Sequence, residues 1–156
     1  MLRRRREGRT NYRKRLKLLL SRKTRCVVRL TSKHSIVQFV DYSESKDFVR
    51  TGATSKELVK FGWDKSTSNV TAAYLAGYLA GVKARKIGIS EAILDSGFHN
   101  PNISERLKAC VKGVIESGIF VPFDLKVDEE RMKGAHINGT ELFKTVKGKI
   151  GEVVKQ

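Results

Sequence analysis

This sequence of 156 residues lacks most of the features that mark zinc-binding, membrane or exported proteins. It has only two cysteines, Cys26 and Cys110, and neither lies in a C-x-x-C pair of the kind that structural zinc sites use. No stretch reaches the ~18–20 apolar residues of a membrane span. The apolar run at residues 18–20 is also shorter than the roughly 7–15 apolar residues of a secretory signal. We therefore expect a metal-free cytoplasmic protein with buried, reduced cysteines and no membrane association.

Acidic residues are scarce at the start of the chain. Residues 1–30 contain 13 basic residues and a single acid, Glu7, so that +12 of the total net charge of +16 lies there. This asymmetry indicates a basic arm attached to a nearly balanced domain. A polyanion is the natural partner, because each neutralised phosphate releases condensed counterions. A mitochondrial presequence, which is also rich in arginine and poor in acids, is the alternative that the composition leaves open.

Catalytic motifs are absent as well. The sequence has no G-x-G-x-x-G or Walker motif, and its three histidines have no paired nucleophile nearby in the chain. The sharpest enzyme hypothesis is an RNA nuclease with a ribonuclease H-like sheet, because the strand order described below fits that sheet. Such chemistry needs several carboxylates around two metal ions, and the first predicted strand carries no acid. We expect a non-enzymatic protein with no catalytic residue, cofactor or small-molecule substrate.

Hydrophobic periodicity predicts a mixed α/β fold in three segments. These are a basic arm and helix (1–22), a core domain (23–122) and a C-terminal extension with a helix (123–156). In the arm, residues 3–9 are expected to be irregular, and a helix capped by Thr10 is expected to run to about Ser21. Its apolar stripe is predicted to face the domain, with Arg13, Lys14 and Lys17 pointing away. The stripe consists of Tyr12, Leu16, Leu19 and Leu20.

The core segment alternates in a way that predicts strands. Residues 25–31 and 35–42 form an antiparallel hairpin, and Arg25 and Arg29 share the face opposite to Cys26 and Val28. A third strand is predicted at 47–51, and a capping box, Thr54-x-x-Glu57, follows it. A helix over 70–86 then crosses over to a short strand at 91–95, which should lie parallel to an earlier strand. Ser104 begins a further helix that ends near residue 117.

Small residues line one face of the helix predicted over 70–86. This face consists of Ala73, Ala76, Gly77, Ala80, Gly81 and Ala84. They predict close packing of the helix against the sheet, because small side chains allow backbones to approach. The final segment repeats apolar residues at helical spacing, which predicts one more helix after residue 140.

Three ordered blocks of the sequence resemble one known family. They are RRRREGRTNYRKRLKLLLSRKTRCVVRLTSKHSIVQFVDY, GWDKSTSNVTAAYLAGYLAGVKARKIGISEAILDSGFHNP and DEERMKGAHI. Together they cover essentially residues 3–137 and resemble the archaeal and eukaryotic branch of the ribosomal protein L-eighteen family. The resemblance implies a mixed sheet of ribonuclease H-like topology without catalytic acids. It also implies a protein of the large ribosomal subunit that binds 5S ribosomal RNA and links it to the large-subunit ribosomal RNA in the central protuberance. Contact with a neighbouring 5S-binding ribosomal protein is implied too. The segment after His136 has no counterpart in the resemblance, and its role stays open.

The resemblance further implies RNA-binding positions in the arm, in the hairpin and in two loops. They are Arg3, Arg4, Arg5, Arg6, Arg9, Tyr12, Arg13, Arg15, Arg22, Lys23, Arg25, Lys33, His34, Lys65, Thr67, Ser68, Asn69 and His99. Arginine suits phosphate because its planar guanidinium forms bidentate contacts. Three positions have a structural alternative: His34 as a simple turn residue, Trp63 as an anchor of its loop, and Phe98 as part of the core rather than a platform for an unstacked base. A non-ribosomal RNA-binding regulator or chaperone is the alternative function.

Overall fold

A four-stranded mixed sheet forms the centre of the computed structural model, which describes residues 2–8, 10–43, 46–100, 103–123 and 126–152. The strands are β1 (Arg25–Leu30), β2 (Ser35–Ser43), β3 (Lys46–Thr54) and β4 (Ile93–Asp95). In the order β3-β2-β1-β4, β2 is antiparallel to both β1 and β3, and β4 is parallel to β1. The predicted α/β class, the hairpin and the parallel crossover strand are confirmed, and β3 is longer than predicted.

Six α-helices lie in the described ranges. They are α1 (Arg3–Arg6), α2 (Tyr12–Leu20), α3 (Val70–Lys86), α4 (Glu105–Glu116), α5 (Glu129–Met132) and α6 (Thr140–Glu152). A 3-10 helix, Ser55–Phe61, connects β3 to α3 and begins at the predicted capping box, where the Thr54 N–H donates to Glu57 Oε1 at 2.9 Å. Asn69 caps α3 by accepting the Ala72 N–H at 2.7 Å. Side-chain oxygens at these positions satisfy N–H groups that a helix start leaves without a partner.

The hydrophobic core lies on one face of the sheet. The alternate residues Cys26 and Val28 of β1, and Val37 and Phe39 of β2, are completely buried there. Helix α3 contacts the sheet, α4 and α6, so that most of its residues are buried. Three residues of α6, namely Phe143, Val146 and Ile150, join the same core. The predicted C-terminal helix is therefore packed onto the body of the domain.

Both cysteines are buried free thiols. Burial raises the pKa of the Cys26 thiol to about 12 and also raises that of Cys110. At neutral pH both side chains are uncharged and pack as small apolar groups, as the sequence predicted.

The small-residue face of α3 is in closest contact with α4 rather than with the sheet. A methyl group added at Gly77 would lie 2.0 Å from the carbonyl oxygen of Cys110, and one added at Gly81 would lie 1.9 Å from Ser117 Oγ. On α4, a methyl group added at Gly113 would lie 2.2 Å from the carbonyl oxygen of Tyr74. The prediction that α3 packs against the sheet is confirmed by its contacts with β2 and β3, and the closest approach of its glycines is to α4. The helical spacing of small residues shows which face of a helix allows close packing, but it does not show which neighbouring element packs there.

The arm departs from the prediction in two respects. Residues Arg3–Arg6, expected to be irregular, form the short helix α1. Helix α2 is capped by Asn11 rather than Thr10, and its predicted apolar stripe is only partly buried. Leu16 and Leu20 are 60% and 73% exposed, whereas Tyr12 and Leu19 are half-buried. Polar contacts, described next, help to dock this helix.

Candidate nucleic-acid interface

A groove of about 400 Å³ separates the arm from the face of the sheet opposite the core. Its walls combine α2, the outward residues of β1 to β3 and the loop that follows β4. Arg25 and Arg29 lie on this outer face, as the two-residue period of a strand predicted. Arg4 and Lys14 from the arm line the other wall. The most basic segment of the sequence thus borders an open, cationic depression.

Two cations dock α2 on the sheet. Lys14 donates hydrogen bonds to Ser96 Oγ at 3.0 Å and to the carbonyl oxygen of Gly97 at 3.1 Å. Arg15 pairs with Asp47 of β3 at 2.9 Å. Lys14, predicted to point away from the domain, therefore points toward it. Long side chains reach across the groove where an apolar stripe would have closed it.

Five charged residues form an alternating network along the groove floor. Asp47 accepts hydrogen bonds from Arg15 and, at 2.7 Å, from Arg25. Arg25 also pairs with Asp95 at 3.3 Å, and Asp95 pairs with Arg29 at 3.3 Å. The carbonyl oxygen of Asp95 accepts a further hydrogen bond from Arg29 at 2.8 Å. Arg25 is central to this network, and only 3% of its side chain is exposed.

Two groups of the network, Asp47 and Arg15, have shifted pKa values. Partial burial alone would raise the pKa of Asp47, but hydrogen bonds and charges from Arg15 and Arg25 outweigh it and lower that pKa. The hydrogen bond to Asp47 raises the pKa of Arg15. Arg15 and Arg29 keep 31% and 43% of their side chains exposed, so each remains accessible to solvent. Arg25 is almost fully buried, and it pairs with both Asp47 and Asp95, so it can fix the positions of these carboxylates.

The remaining predicted residues of the arm are mostly exposed. The guanidinium groups of α1 face solvent, where Arg3 pairs with Glu7 at 3.5 Å and Arg4 donates to Thr10 Oγ1 at 3.0 Å. A second cavity of about 370 Å³ lies between Arg5, Arg13, Tyr12 and the ring of Phe98. Arg9 lies outside the described residues. Arg3 and Arg6 line neither of the two cavities.

The junction between α2 and β1 carries two more predicted residues. Arg22 is exposed and has a left-handed backbone with φ +53°, a conformation that side chains other than glycine seldom adopt. Lys23 is exposed and pairs with Glu91 at 2.8 Å. Both cations therefore stand at the surface where the arm joins the sheet.

The hairpin turn and the loop before α3 come together as a second polar surface. Thr67 Oγ1 donates to the carbonyl oxygen of Lys33 at 2.9 Å, and His34 Nδ1 lies 3.2 Å from Thr67 Oγ1. Arg106 of α4 fixes the same turn, donating to the carbonyl oxygen of Thr31 at 3.0 Å. Lys33 and Lys65 have exposed side chains. Residues about 30 positions apart thus form one surface, which the sequence alone did not predict.

Other members of the predicted set have local structural roles. Asn69 is the cap of α3, and Ser68 contacts Ser66 through their hydroxyl groups at 3.0 Å. Trp63 is buried and its indole N–H donates to the carbonyl oxygen of Ser66, which confirms its role as an anchor of this loop. In the loop after β4, His99 is exposed and lines the groove.

The structure decides between the two interpretations of Phe98 and adds residues of the candidate interface that sequence reasoning missed. Phe98 is not part of the core, because 60% of it is exposed, and it borders both cavities. Lys14, Asp47, Asp95 and Arg106 had no local signal, since their roles depend on contacts with distant segments. Arg29 did have a local signal, because the two-residue period of β1 places it on the same face as Arg25.

In the part of the chain that the structure describes, no three His, Cys, Asp or Glu side chains are grouped closely enough to hold a metal ion. None of the described helices has the length and apolar character needed to cross a membrane.

Comparison with known proteins gives a consistent family. Residues 1–89 match the model of a family described as ribosomal large subunit proteins 60S L5, and 50S L18. The chain is 50% identical to the large ribosomal subunit protein uL18 of Korarchaeum cryptofilum over 137 residues, which cover 86% of this chain and 70% of that protein. It is 48% identical to the uL18 protein of Metallosphaera sedula over 136 residues, with the same coverage of each chain. Similarity to the uL18 protein of Methanococcoides burtonii extends over 95% of this chain and 91% of that protein at 43% identity.

Proposed function

The chain belongs to the family of ribosomal large subunit proteins 60S L5 and 50S L18, and on that premise we propose that it binds 5S ribosomal RNA and attaches it to the large-subunit ribosomal RNA. Its place would be the central protuberance of the cytoplasmic large subunit, beside a neighbouring 5S-binding ribosomal protein. The observation that carries the proposal is the groove between the arm and the sheet, where partly exposed guanidinium groups are held by ion pairs.

The chemistry of the groove suits phosphate. Arg15 and Arg29 are each held by a carboxylate on one side and are solvent-accessible on the other. A guanidinium has five N–H donors in a rigid plane. Arg15 donates one hydrogen bond, to Asp47, and Arg29 donates three, to Asp95 and the carbonyl oxygen of Val28, so each retains donors for a phosphate oxygen. The exposed arginines of α1, together with Arg13 and Arg22, extend this basic surface along the arm.

The second polar surface supplies a different set of donors. Lys33 and His34 lie in the hairpin turn and Lys65 lies in the loop before α3, and Thr67 ties the two loops together. Contacts there would fix the orientation of a bound RNA relative to the groove, because two separated points of attachment define a direction. We propose that Tyr12 and His99 contact RNA from the arm side, since Tyr12 lines the smaller cavity and His99 the groove.

The proposal is tested by the binding of purified protein to 5S ribosomal RNA and to an unrelated structured RNA of equal length, at two salt concentrations. We expect a preference for 5S ribosomal RNA that persists at the higher salt. Equal affinities for the two RNAs, both decreasing as salt rises, would indicate a non-specific polycation, because counterion release does not depend on RNA sequence. Sedimentation of the native protein distinguishes a ribosomal component, which travels with large subunits, from a regulator that acts away from them.

A further inference from the structure

Two carboxylates lie inside the basic groove, where simple electrostatics would exclude them. Asp47 and Asp95 both line it, together with Arg4, Lys14 and Arg29. A negative charge there repels RNA phosphate and, taken alone, weakens binding. Their presence calls for a function that outweighs this repulsion.

Each carboxylate bridges two arginines. Asp47 joins Arg15 of the arm helix to Arg25 of β1, and Asp95 joins Arg25 to Arg29. Because Arg25 is almost fully buried, it cannot present its guanidinium to a large ligand, yet it holds both carboxylates from within. The outer arginines are thereby anchored through a shared buried cation.

The anchoring also fixes the backbone around the groove. Asp95 Oδ1 accepts the N–H of Gly97 at 3.0 Å, which shapes the loop that carries Phe98 and His99. Lys14 donates to Ser96 and Gly97 of the same loop. Asp47 and Asp95 therefore connect β3, β1, the β4 loop and the arm helix.

We propose that Asp47 and Asp95 are positioning residues of the RNA interface, which hold Arg15, Arg29 and helix α2 in the one geometry that fits 5S ribosomal RNA. The inference rests on the proposed function and adds to it the means of selectivity. Freely rotating arginines attract any RNA, whereas arginines held in place lose less side-chain entropy when they meet a matching phosphate pattern. Removal of a carboxylate should raise the net charge and yet lower the affinity for the matching RNA.

The test is Asp47→Asn, which keeps the shape of the side chain and removes its charge. We expect about a tenfold weaker affinity for 5S ribosomal RNA, with affinity for the unrelated RNA unchanged or slightly higher. The matched control is Glu129→Gln, which also raises the net charge by one through loss of a carboxylate but alters an exposed pair with Lys133. It should leave the preference between the two RNAs unchanged. Thermal unfolding of each variant establishes that the fold persists.

A double-variant cycle separates positioning from a general loss of folded protein. If Asp47 acts through Arg15, the losses caused by Asp47→Asn and Arg15→Gln should overlap rather than add. A smaller folded fraction would instead lower the affinity for both RNAs in proportion, so the ratio of the two affinities would not move. Asp95→Asn provides a second variant on the opposite side of Arg25.

The outcomes are distinct. Wild-type protein that prefers 5S ribosomal RNA, with a preference that Asp47→Asn and Asp95→Asn reduce, supports the inference. If wild type shows the preference and both variants retain it or bind more tightly, the inference is overturned while the proposed function stands. Equal binding of both RNAs by wild type overturns the proposed function and this inference together.

Discussion

The glycines of α3 and α6 provide a matched pair of substitutions with opposite expected signs. Gly77→Ala places a methyl group 2.0 Å from the carbonyl oxygen of Cys110, against an ordinary contact of about 3.4 Å. The obstructing atom belongs to the backbone of α4, so no side chain can rotate away. Helices α3 and α4 would have to separate by about 1.4 Å, the difference between these two distances.

The magnitude follows from two opposing contributions. Overpacking against a rigid neighbour costs about 3 kcal/mol, and the better helix propensity of alanine recovers about 1 kcal/mol. The net loss of about 2 kcal/mol corresponds to a melting temperature about 4–8 °C lower for a chain of this size. Gly148→Ala meets nothing within 4 Å in α6 and gains the propensity alone. It should raise the melting temperature by about 2–4 °C.

The assay is thermal unfolding followed by far-ultraviolet circular dichroism, with both variants and wild type at one concentration and salt. The difference between the two variants matters more than either value, because both replace a helical glycine by alanine. Gly77→Ala as stable as wild type would refute the assigned contact between α3 and α4. A destabilised Gly148→Ala would show that this face of α6 is covered.

Three further predictions concern the arm and the carboxylates. Replacement of the four α1 arginines by alanine should weaken binding to all RNAs alike. The slope of log binding constant against log salt concentration should become shallower by about 0.7–0.9 per lost phosphate contact. An unchanged slope would place α1 outside the interface. Arg22→Gly removes left-handed strain of about 1 kcal/mol, which the extra entropy of glycine in the unfolded chain roughly offsets. The melting temperature should therefore stay near that of wild type while RNA affinity falls. A large drop in melting temperature would contradict this. Burial would raise the pKa of Glu57, but hydrogen bonds from Lys83 and Thr54 outweigh burial and lower that pKa. The ionised Glu57 therefore stabilises the fold at neutral pH, and this stabilisation is lost as pH falls through the folded-state pKa. The melting temperature of Glu57→Gln should decline less than that of wild type between pH 6 and pH 3.

Local patterns predicted the elements of the fold well where each pattern had one physical cause. Helix α3 begins after a capping asparagine and keeps its predicted bounds, Val70–Lys86. The alternation in β1 predicted correctly that Cys26 and Val28 face the core. The capping box at Thr54 began a helix as expected, although the helix has 3-10 geometry.

The candidate site was harder to predict because its geometry depends on distant segments. Period-two alternation predicted the face of Arg25 but not its depth, which is set by Asp47 and Asp95 from two other strands. The outward direction predicted for Lys14 failed because its acceptors lie about 80 residues away in the chain. The helical period shows which side of a helix is apolar, and that side is usually predicted to face the core. The prediction fails for a helix that charged residues dock on the domain.

The long separation between the arm and its docking loop also orders events during synthesis. Lys14 is translated 82 residues before its partner Ser96. At about 5–20 residues per second, the arm emerges roughly 4–16 s before the loop that receives it. Asp47, which pairs with Arg15, is translated much earlier, 32 residues after it. The arm helix can therefore reach β3 well before it reaches the loop after β4, and its docking through Lys14 is the last of these contacts to form.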